Sequence, residues 1–291
     1  MNRTQSILCV VGLLSLAGCD NRTAQKEKQT PRIVLNIKGA DSMVVAAQSL
    51  AEAYNESQST VTVIASGGGS GAGIADLLNG TIQIATASRQ PTDAERNQFL
   101  VAYNKKPRGT VIGYDAVAVC VHRDNPISSV SVEDLRGIFA EPGRLKHWQE
   151  LGASDFGAIV DISSMGVSSS GGVFHASLFG EARGELASRH FYGGMSELLA
   201  ACAANRAAIG YVRFPWMNDS VRWLSIAREP RGVAVEPTED NIRSGRYPLA
   251  RPLYLYTVDA PSPESEAFVA FATSQAAQSK LRVGGLVPAF Q

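Results

Sequence analysis

The stretch VTVIASGGGSGAGIADLLNGTIQIATASRQ fills residues 61–90 and decides the class of fold. Its β-branched start, 61–65, predicts a strand, and Ile82-Gln83-Ile84-Ala85 predicts another. Between them lie a glycine-rich loop at 67–73 and an apolar segment at 74–78 with helical spacing. The order of strand, loop, helix and strand is typical of α/β proteins with a parallel sheet.

The same alternation continues on both sides of this stretch. Residues 33–37 predict a strand, 42–54 predict a helix with Ser42 as its N-cap, and 93–104 predict a further helix. A βαβαβ order of this kind predicts a mostly parallel sheet that helices cover on both faces. The predicted fold class is therefore α/β.

Two apolar runs separate the middle of the chain from its ends. YDAVAVCV at 114–121 and PLYLYTV at 252–258 each predict a strand. Residues 132–139 predict a helix capped by Ser131, and 264–281 predict one long helix. Two crossings between lobes produce this arrangement of strands, but so does a single large sheet, and the pattern alone leaves both open.

The N-terminus has the features of an export signal. Residues 7–16 form an apolar run that is too short to span a bilayer, and Leu16-Ala17-Gly18-Cys19 resembles a bacterial lipobox. We predict a lipoprotein signal peptide over 1–19 with lipidation at Cys19. An ordinary cleaved signal followed by an incidental cysteine is the alternative. The polar segment 20–31 predicts a flexible tether.

Charge and side-chain inventory argue against several classes of function. The 27 basic and 27 acidic residues balance, which argues against a nucleic-acid partner. The four histidines lack metal-ligand spacing, so we predict no metal site, and no motif indicates a cofactor. Cys120 and Cys202 either pair in an oxidising compartment or remain buried free thiols, and their apolar surroundings favour free thiols.

The residues best suited to bind a ligand form the loop Ser66-Gly67-Gly68-Gly69-Ser70-Gly71-Ala72-Gly73. Glycines let backbone N–H groups approach a ligand closely, and the start of a helix favours negative charge. This chemistry suits a small oxyanion. The loop lacks the Gly-Lys-Ser/Thr of a nucleotide P-loop, and G-x-G-x-x-G is out of register. A glycine-rich turn without a ligand is the alternative.

Three other strand-to-helix junctions also carry small hydroxyl residues, at 39–43, 87–91 and 168–172. Each serine has the alternative role of a helix N-cap. In an open α/β sheet, however, the loops at the carboxyl ends of the strands converge on one crevice. The four junctions together therefore predict a crevice in which an anion accepts several neutral hydrogen bonds.

A serine hydrolase is the competing enzyme class. Such an enzyme needs a G-x-S-x-G motif around its nucleophile, and the sequence around Ser70 differs from it at one position, where Ala72 stands in place of the second glycine. The sequence around Ser170 also differs from it at one position, where Ser168 stands in place of the first glycine. No local sequence ties a histidine to either serine, so we predict that the chain is not an enzyme.

Six segments of the chain resemble the phosphate-binding proteins of bacterial phosphate ABC transporters, which have the type II periplasmic binding protein fold. They are KGADSM (38–43), SGGGSGAGIADLLNGTIQIATASRQPTDAE (66–95), IGYDAVAVCVHRDNPISSVSVEDLRGIF (112–139), AAIGYV (207–212), RSGRYPLARPLYLY (243–256) and VGGLVPAF (283–290). In this order they extend over nearly all of 33–290.

The resemblance implies two lobes, each a mostly parallel sheet flanked by helices. Lobe I spans 32–112 and 253–291, and lobe II spans 113–252. Two hinge strands, near 114–121 and 252–258, let the lobes close on a ligand. The resemblance further implies a monomer that captures phosphate or a related tetrahedral oxyanion for an ABC permease of the inner membrane. Such a protein works on the periplasmic side of the cell membrane, to which Cys19 anchors this chain.

The resemblance also assigns the ligand contacts. They are Ser42, Met43 through its amide, Ser70, Ser88, Ser170, Gly171 and Gly172. Gly172 stands where threonine is usual in the family, and Gly166 stands where arginine is usual. A charge-assisted hydrogen bond is worth roughly 1.5–3 kcal/mol and a neutral one about 1 kcal/mol. Without compensation, the two departures predict binding that is weaker by about two orders of magnitude.

Compensation for the missing charge has several candidates. Arg89 either supplies the positive charge or serves as a structural ion-pair partner, and Arg213 is a further candidate. Asp41 is the nearest acidic side chain that could accept a proton from the ligand. The alternative function is that of a degenerate relative, which keeps the fold and acts as a lipoprotein sensor or interaction module, or binds a different small ligand.

Overall fold

The computed structural model describes residues 32–140, 142–164, 169–180, 186 and 190–290, with Ser164, Ser169 and Ser170 described through their backbone. The predicted signal peptide at 1–19 with Cys19, the tether at 20–31, and Gly166 lie outside the described residues. The strands are β1 (Ile33–Gly39), β2 (Val61–Ser66), β3 (Ile84–Ala87), β4 (Arg108–Val121), β5 (Ser129–Ser131), β6 (Val160–Ser164), β7 (His190–Tyr192), β8 (Ala208–Arg213), β9 (Arg222–Trp223), β10 (Ser225–Ala227), β11 (Ala234–Val235), β12 (Ala250–Thr257) and β13 (Val287–Pro288). The helices are α1 (Val44–Ser57), α2 (Ser70–Leu78), α3 (Asp93–Tyr103), α4 (Val132–Phe139), α5 (Ser169–Phe179), α6 (Met195–Ala204), α7 (Glu239–Arg243), α8 (Pro263–Ala272) and α9 (Gln275–Val283).

The main sheet has the strand order β2-β1-β3-β12-β4-β8-β6-β7. Strands β1, β2 and β3 are parallel to one another, and so are β6, β7 and β8. Between these two groups, β12 pairs antiparallel with β3 and β4, and β4 pairs antiparallel with β8. The predicted α/β class is therefore confirmed, with two parallel groups joined through a pair of antiparallel strands.

Strand β4 belongs to both groups. Its residues 108–116 pair with β12, and its residues 117–121 pair with β8. Every residue from Ala116 to Val121 is buried. The part of the sheet on the β12 side of β4, with its helices, is called the first half below, and the part on the β8 side is called the second half.

The hydrophobic core divides at the same strand. Ile112 of β4 packs in the first half with Leu35, Leu50 and Phe268, among others. Val119 and Val121 pack in the second half with Phe139, Trp148 and Phe174, among others. A chain that buries two separate apolar clusters on either side of one strand has two folding cores, and β4 is common to both.

The start of helix α2 differs from the prediction. The helix begins at Ser70, four residues before the apolar segment that indicated it, and includes Gly71 and Gly73. A methyl group added to Gly73 would lie 2.6 Å from the carbonyl oxygen of Lys38 and 2.7 Å from the Cα of Gly39. Glycine is needed there because the first turn of α2 packs directly on the backbone end of β1. This tertiary contact outweighs the low helix propensity of glycine.

Two further helix boundaries were predicted wrongly. Ser42 is not an N-cap, because it lies in a short 3-10 turn at Asp41–Met43 and α1 begins only at Val44. The single helix predicted at 264–281 is divided into α8 and α9, because the Ser274 hydroxyl accepts a hydrogen bond from the amide of Ala277 and starts a new helix. By contrast, the helix at 132–139 with its Ser131 cap is confirmed as α4.

The two cysteines of the described part of the chain are free and buried, as their apolar surroundings predicted. Cys120 lies on β4 and Cys202 on α6 of the second half. A hydrogen bond with the Cys202 thiol and burial raise the pKa of Cys120. No helix within the described residues has the length and apolar character needed to cross a membrane.

The packing of α2 on β1 gives a direct test. We expect Gly73→Ala to lower the free energy of unfolding by about 1–3 kcal/mol, as overpacking does, because the new methyl group meets backbone atoms that cannot move aside. Gly71→Ala is the matched control on the same helical turn. Its methyl group would lie 3.6 Å from the Nη2 atom of Arg89, an ordinary contact. Urea unfolding that gives equal stability for both variants would contradict the packing argument.

Candidate functional site

The loops that follow β1, β2 and β3 form one hydrogen-bonded unit. The amide of Gly69 donates to the carbonyl oxygen of Gly39 at 2.9 Å, and the amide of Ala40 donates to the carbonyl oxygen of Thr86 at 2.9 Å. The amide of Gly68 donates to the Oδ1 atom of Asp41, also at 2.9 Å. These three loops therefore meet at the carboxyl ends of their strands, and the convergence of the fourth junction, at 168–172, stays a prediction.

Gly39 makes the closest of these approaches possible. Its φ angle is 151°, and a methyl group there would lie 1.9 Å from the carbonyl oxygen of Thr86. No other residue type fits a backbone placed so close to its neighbour. The glycine thus lets the first loop lie directly against the end of β3.

Ser70 and Ser88 are brought into contact at this edge of the sheet. The amide of Ser88 donates to the Oγ atom of Ser70 at 3.1 Å, and the two Oγ atoms are 3.4 Å apart. Ser70 is the first residue of α2, so its hydroxyl lies beside the free N–H groups of that helix. Two half-exposed hydroxyls next to a helix N-terminus make a neutral surface with a positive local potential, which suits an anion.

Ser42 and Met43 lie in the first of the three loops. The Ser42 hydroxyl and the Met43 amide differ in whether they already make a hydrogen bond within the protein. The Ser42 Oγ atom is buried and has no hydrogen-bond partner among the described residues. The Met43 amide donates to the carbonyl oxygen of Ala40 at 2.9 Å and so already closes the 3-10 turn. Its predicted contact with a ligand would compete with this bond, whereas the Ser42 hydroxyl has no hydrogen bond within the described residues to give up.

Arg89, the candidate charge partner, is held by an acidic residue. Its Nη1 and Nη2 atoms donate to the two carboxylate oxygens of Glu95 at 2.7 and 2.8 Å. The Arg89 hydrogen bonds are the largest cause of the lowered pKa of Glu95, and burial partly opposes them. Glu95 also accepts from the amide of Thr92 and thereby completes the capping box of α3. The pair as a unit carries no net charge.

The remaining predicted contacts lie in the first turn of α5, in the second half. Ser170, Gly171 and Gly172 lie in this turn, directly after β6 in the chain. Helix α5 is fixed to the sheet by Phe174, which stacks on Tyr211 of β8 with ring centroids 4.0 Å apart. Burial raises the pKa of Tyr211 to about 12, so this ring remains neutral. The Ser170 side chain lies outside the described part of the structure.

Sequence reasoning missed three charged residues near these loops. Lys38 forms an ion pair with Asp76 at 2.7 Å, and its Cε atom would lie 3.0 Å from a methyl group on Gly68. Asp115 and Arg251 pair with each other across β4 and β12. The signal for the latter two was available, since each places a charge inside an otherwise apolar strand pattern.

Comparison with known proteins agrees with this architecture. A family model described as a PBP superfamily domain matches residues 23–276. The phosphate-binding protein PstS of Pseudomonas aeruginosa is 26% identical over 269 residues, which cover 87% of this chain and 82% of that protein. An ABC-type phosphate transport receptor from Vibrio cholerae is 24% identical, with a TM-score of 0.74 over 87% of this chain and 99% of that one. PstS from Borrelia burgdorferi is 21% identical, with a TM-score of 0.74 over 88% and 99%. The predicted fold, that of two-lobed periplasmic binding proteins, is thereby confirmed.

The Arg89–Glu95 pair predicts a specific dependence of stability on pH. Because the native pKa of Glu95 lies below its ordinary value of 4.5, the pair stabilises the fold above that value. This contribution is lost as the pH falls from 4.5 through the lowered native pKa. Glu95→Gln should therefore be less stable than the original chain at pH 7, and the difference should shrink at acid pH.

Glu52→Gln, at an exposed position on α1, is the control for the loss of one carboxylate. Urea unfolding as a function of pH measures both variants. A constant stability difference between the Glu95 variant and the original chain across this range would show that the ion pair does not stabilise the fold.

Proposed function

The chain belongs to the PBP superfamily, and on that premise we propose that it captures phosphate, or a related tetrahedral oxyanion, for an ABC importer. The observation that carries this proposal is the contact between Ser70 and Ser88 at the start of α2. Both residues match positions of the ligand contacts in the phosphate-binding family. The P. aeruginosa relative is named a phosphate-binding protein, and the V. cholerae relative a phosphate transport receptor.

We further propose that the ligand lies between two lobes. Lobe I would span 32–112 and 253–291, and lobe II would span 113–252, with β4 and β12 as hinge strands. The division of the core at β4 supports this arrangement. Ser42, Ser70 and Ser88 would then offer hydroxyl groups from the first lobe, and the first turn of α5 would offer backbone amides and Ser170 from the second.

The chemistry supports binding rather than catalysis. Among the described residues, the Ser70 hydroxyl hydrogen-bonds to the amide and hydroxyl of Ser88, and neither group is a general base of the kind that activates a nucleophilic serine. An oxyanion at this site would instead accept hydrogen bonds from preformed donors. Hinge closure would then exclude water, which strengthens each of those bonds.

We propose that the protein acts outside the inner membrane as a lipid-anchored monomer. The predicted signal peptide at 1–19 and lipidation at Cys19 would place the folded part at the membrane surface, and the segment 20–31 would give it reach. The partner would be the inner-membrane permease of an ABC transporter. Labelling of Cys19 with a radioactive fatty acid in cells tests the anchor, and loss of label in Cys19→Ala is the expected result.

Isothermal titration of the full-length chain in detergent with phosphate, and then with sulfate, tests the ligand. We expect a phosphate heat that saturates. Ser70→Ala should weaken phosphate binding about fivefold, because a neutral hydrogen bond is worth about 1 kcal/mol. Ser279→Ala, at an exposed position on α9, is the control and should bind like the original chain. No heat with either anion, from a chain shown to be folded, would reject the proposed function.

A substitution at Gly172 gives a test in which phosphate binding should become tighter. A methyl group added there meets open space, with nothing within 4 Å, so a larger residue fits. Gly172→Thr supplies the hydroxyl usual in the family and should tighten phosphate binding about fivefold. Gly172→Ala separates the two effects, because it stabilises the helix without adding a hydroxyl. If both variants bind alike in the same titration, the side chain at position 172 does not contact the ligand.

A further inference from the structure

Three charged side chains meet where β4 passes from the first half to the second. The Nη2 atom of Arg213, the last residue of β8, is 3.2 Å from the Oδ1 atom of Asp115 on β4. The Nη2 atom of Arg251 on β12 is 3.5 Å from the Oδ2 atom of the same carboxylate. Arg251 is also the register partner of Asp115 in the sheet. We call these three residues the Arg–Asp–Arg triad.

The triad carries more positive than negative charge. Two guanidinium groups face one carboxylate, so the group as a whole has a charge of about +1 at neutral pH. The Asp115 side chain is fully buried, whereas 15% of the Arg213 side chain and 21% of the Arg251 side chain remain exposed. The excess charge therefore belongs to the side chains that solvent, or an anion, can reach.

Hydrogen bonding within the triad is incomplete. The Oδ2 atom of Asp115 and the Nε atoms of both arginines are buried and have no hydrogen-bond partner among the described residues. Buried polar groups are almost always paired, and an unpaired one costs about 1–3 kcal/mol. A purely structural ion pair would need one arginine for one carboxylate. The second arginine therefore calls for a role other than neutralising Asp115.

The position of Arg251 links the triad to the first half of the site. Tyr254 of β12 is the register partner of Ala87, the last residue of β3. Arg251 comes three residues before Tyr254 in the chain. Because β12 runs antiparallel to β3, this places Arg251 about 10 Å beyond the carboxyl end of β3 at the usual rise of an extended strand. The chain leaves β3 at this end and continues directly into Ser88. Arg251 is thus on the same side of the sheet edge as the serine loops.

Arg213 links the triad to both halves. It ends β8, which lies parallel to β6, the strand that precedes α5. Its Nη1 atom donates to the carbonyl oxygen of Gly284 at 3.2 Å, beyond the end of α9. A methyl group on Gly284 would lie 2.8 Å from the Cβ atom of Ala46, in the first turn of α1. Arg213, a residue of the second half, therefore contacts the turn after α9, and that turn packs on the first turn of α1, the helix that follows Ser42.

We propose that the Arg–Asp–Arg triad supplies the positive charge that binds the anion, in place of the arginine that Gly166 replaces. This inference rests on the proposed oxyanion function. The serines and helix N-termini provide neutral hydrogen bonds, and the triad provides the electrostatic attraction at the crossing between the halves. Arg89 then has a positioning role, because Glu95 neutralises it. Asp115 limits the excess charge of the triad to about one unit.

The test measures phosphate affinity by isothermal titration of the full-length chain at low and high salt. Arg213→Gln and Arg251→Gln should each weaken binding about 10- to 100-fold, as loss of a charge-assisted contact does. Arg213→Lys should recover most of the affinity. Asp115→Asn should bind more tightly than the original chain, with a steeper decline of affinity as salt increases, because it raises the net charge of the triad.

Arg144→Gln is the matched control, since it removes one positive charge from an exposed pair with Glu133 on the second half. It should leave the affinity unchanged. A triad that only stabilises the fold would lose affinity in the Asp115 variant as well, so the opposite directions expected for Asp115 and Arg213 separate the two roles. If Arg213→Gln does not fold, Arg251→Gln and Asp115→Asn carry the same comparison.

Failure of the inference differs from failure of the proposed function. Both glutamine variants binding within twofold of the original chain, while Ser70→Ala is weaker, would overturn the role of the triad and leave the oxyanion site in place. An original chain that is folded and shows no heat with phosphate or sulfate would overturn both.

Discussion

The rest of the structure depends on the hydrogen bonding of one strand, β4, along both of its parts. Its first residues pair with β12 and its last residues pair with β8, and its apolar side chains enter two separate cores. Strands β1, β2 and β3 run in the same direction as β4, whereas β6, β7 and β8 run in the opposite direction. The two groups of parallel strands therefore end towards each other, at the point where β4 passes from one half to the other. The carboxyl ends of β1, β2 and β3 therefore face the ends of β6 and β8 across the crossing. This constraint turns an ordinary pair of α/β units into a pair that can share a ligand.

The chemistry at the crossing is divided between neutral and charged groups. The loops after β1, β2 and β3 are tied together by backbone hydrogen bonds and present hydroxyl groups at the start of α2. Their two basic side chains are already paired, Lys38 with Asp76 and Arg89 with Glu95, and the Asp41 carboxylate accepts a hydrogen bond from the Gly68 amide. Excess positive charge lies instead on the strands themselves, at Arg213 and Arg251. A site of this kind would hold its ligand at the crossing between the halves, where the attraction would act on both halves together.

Local signals in the sequence predicted the elements that depend on local physics. Ser131 and Asp134 form a capping box within four residues, so the start of α4 could be predicted. The start of α2 could not, because the need for glycine at 73 comes from the backbone of Lys38, which is distant in the sequence. The convergence of the serine loops followed from a general rule of parallel sheets. The pairing of Asp115 with two arginines depends on the registers of three strands, which no single segment encodes.

The two buried thiols of the second half have a practical consequence. In a chain that begins after Cys19, Cys120 and Cys202 are the only sulfhydryl groups, and both are fully buried. An alkylating reagent can therefore reach them only while the second half is open. The rate of alkylation then reports the opening of that half. Slower alkylation in the presence of an anion would show how strongly ligand capture is coupled to the stability of this half, without any engineered probe.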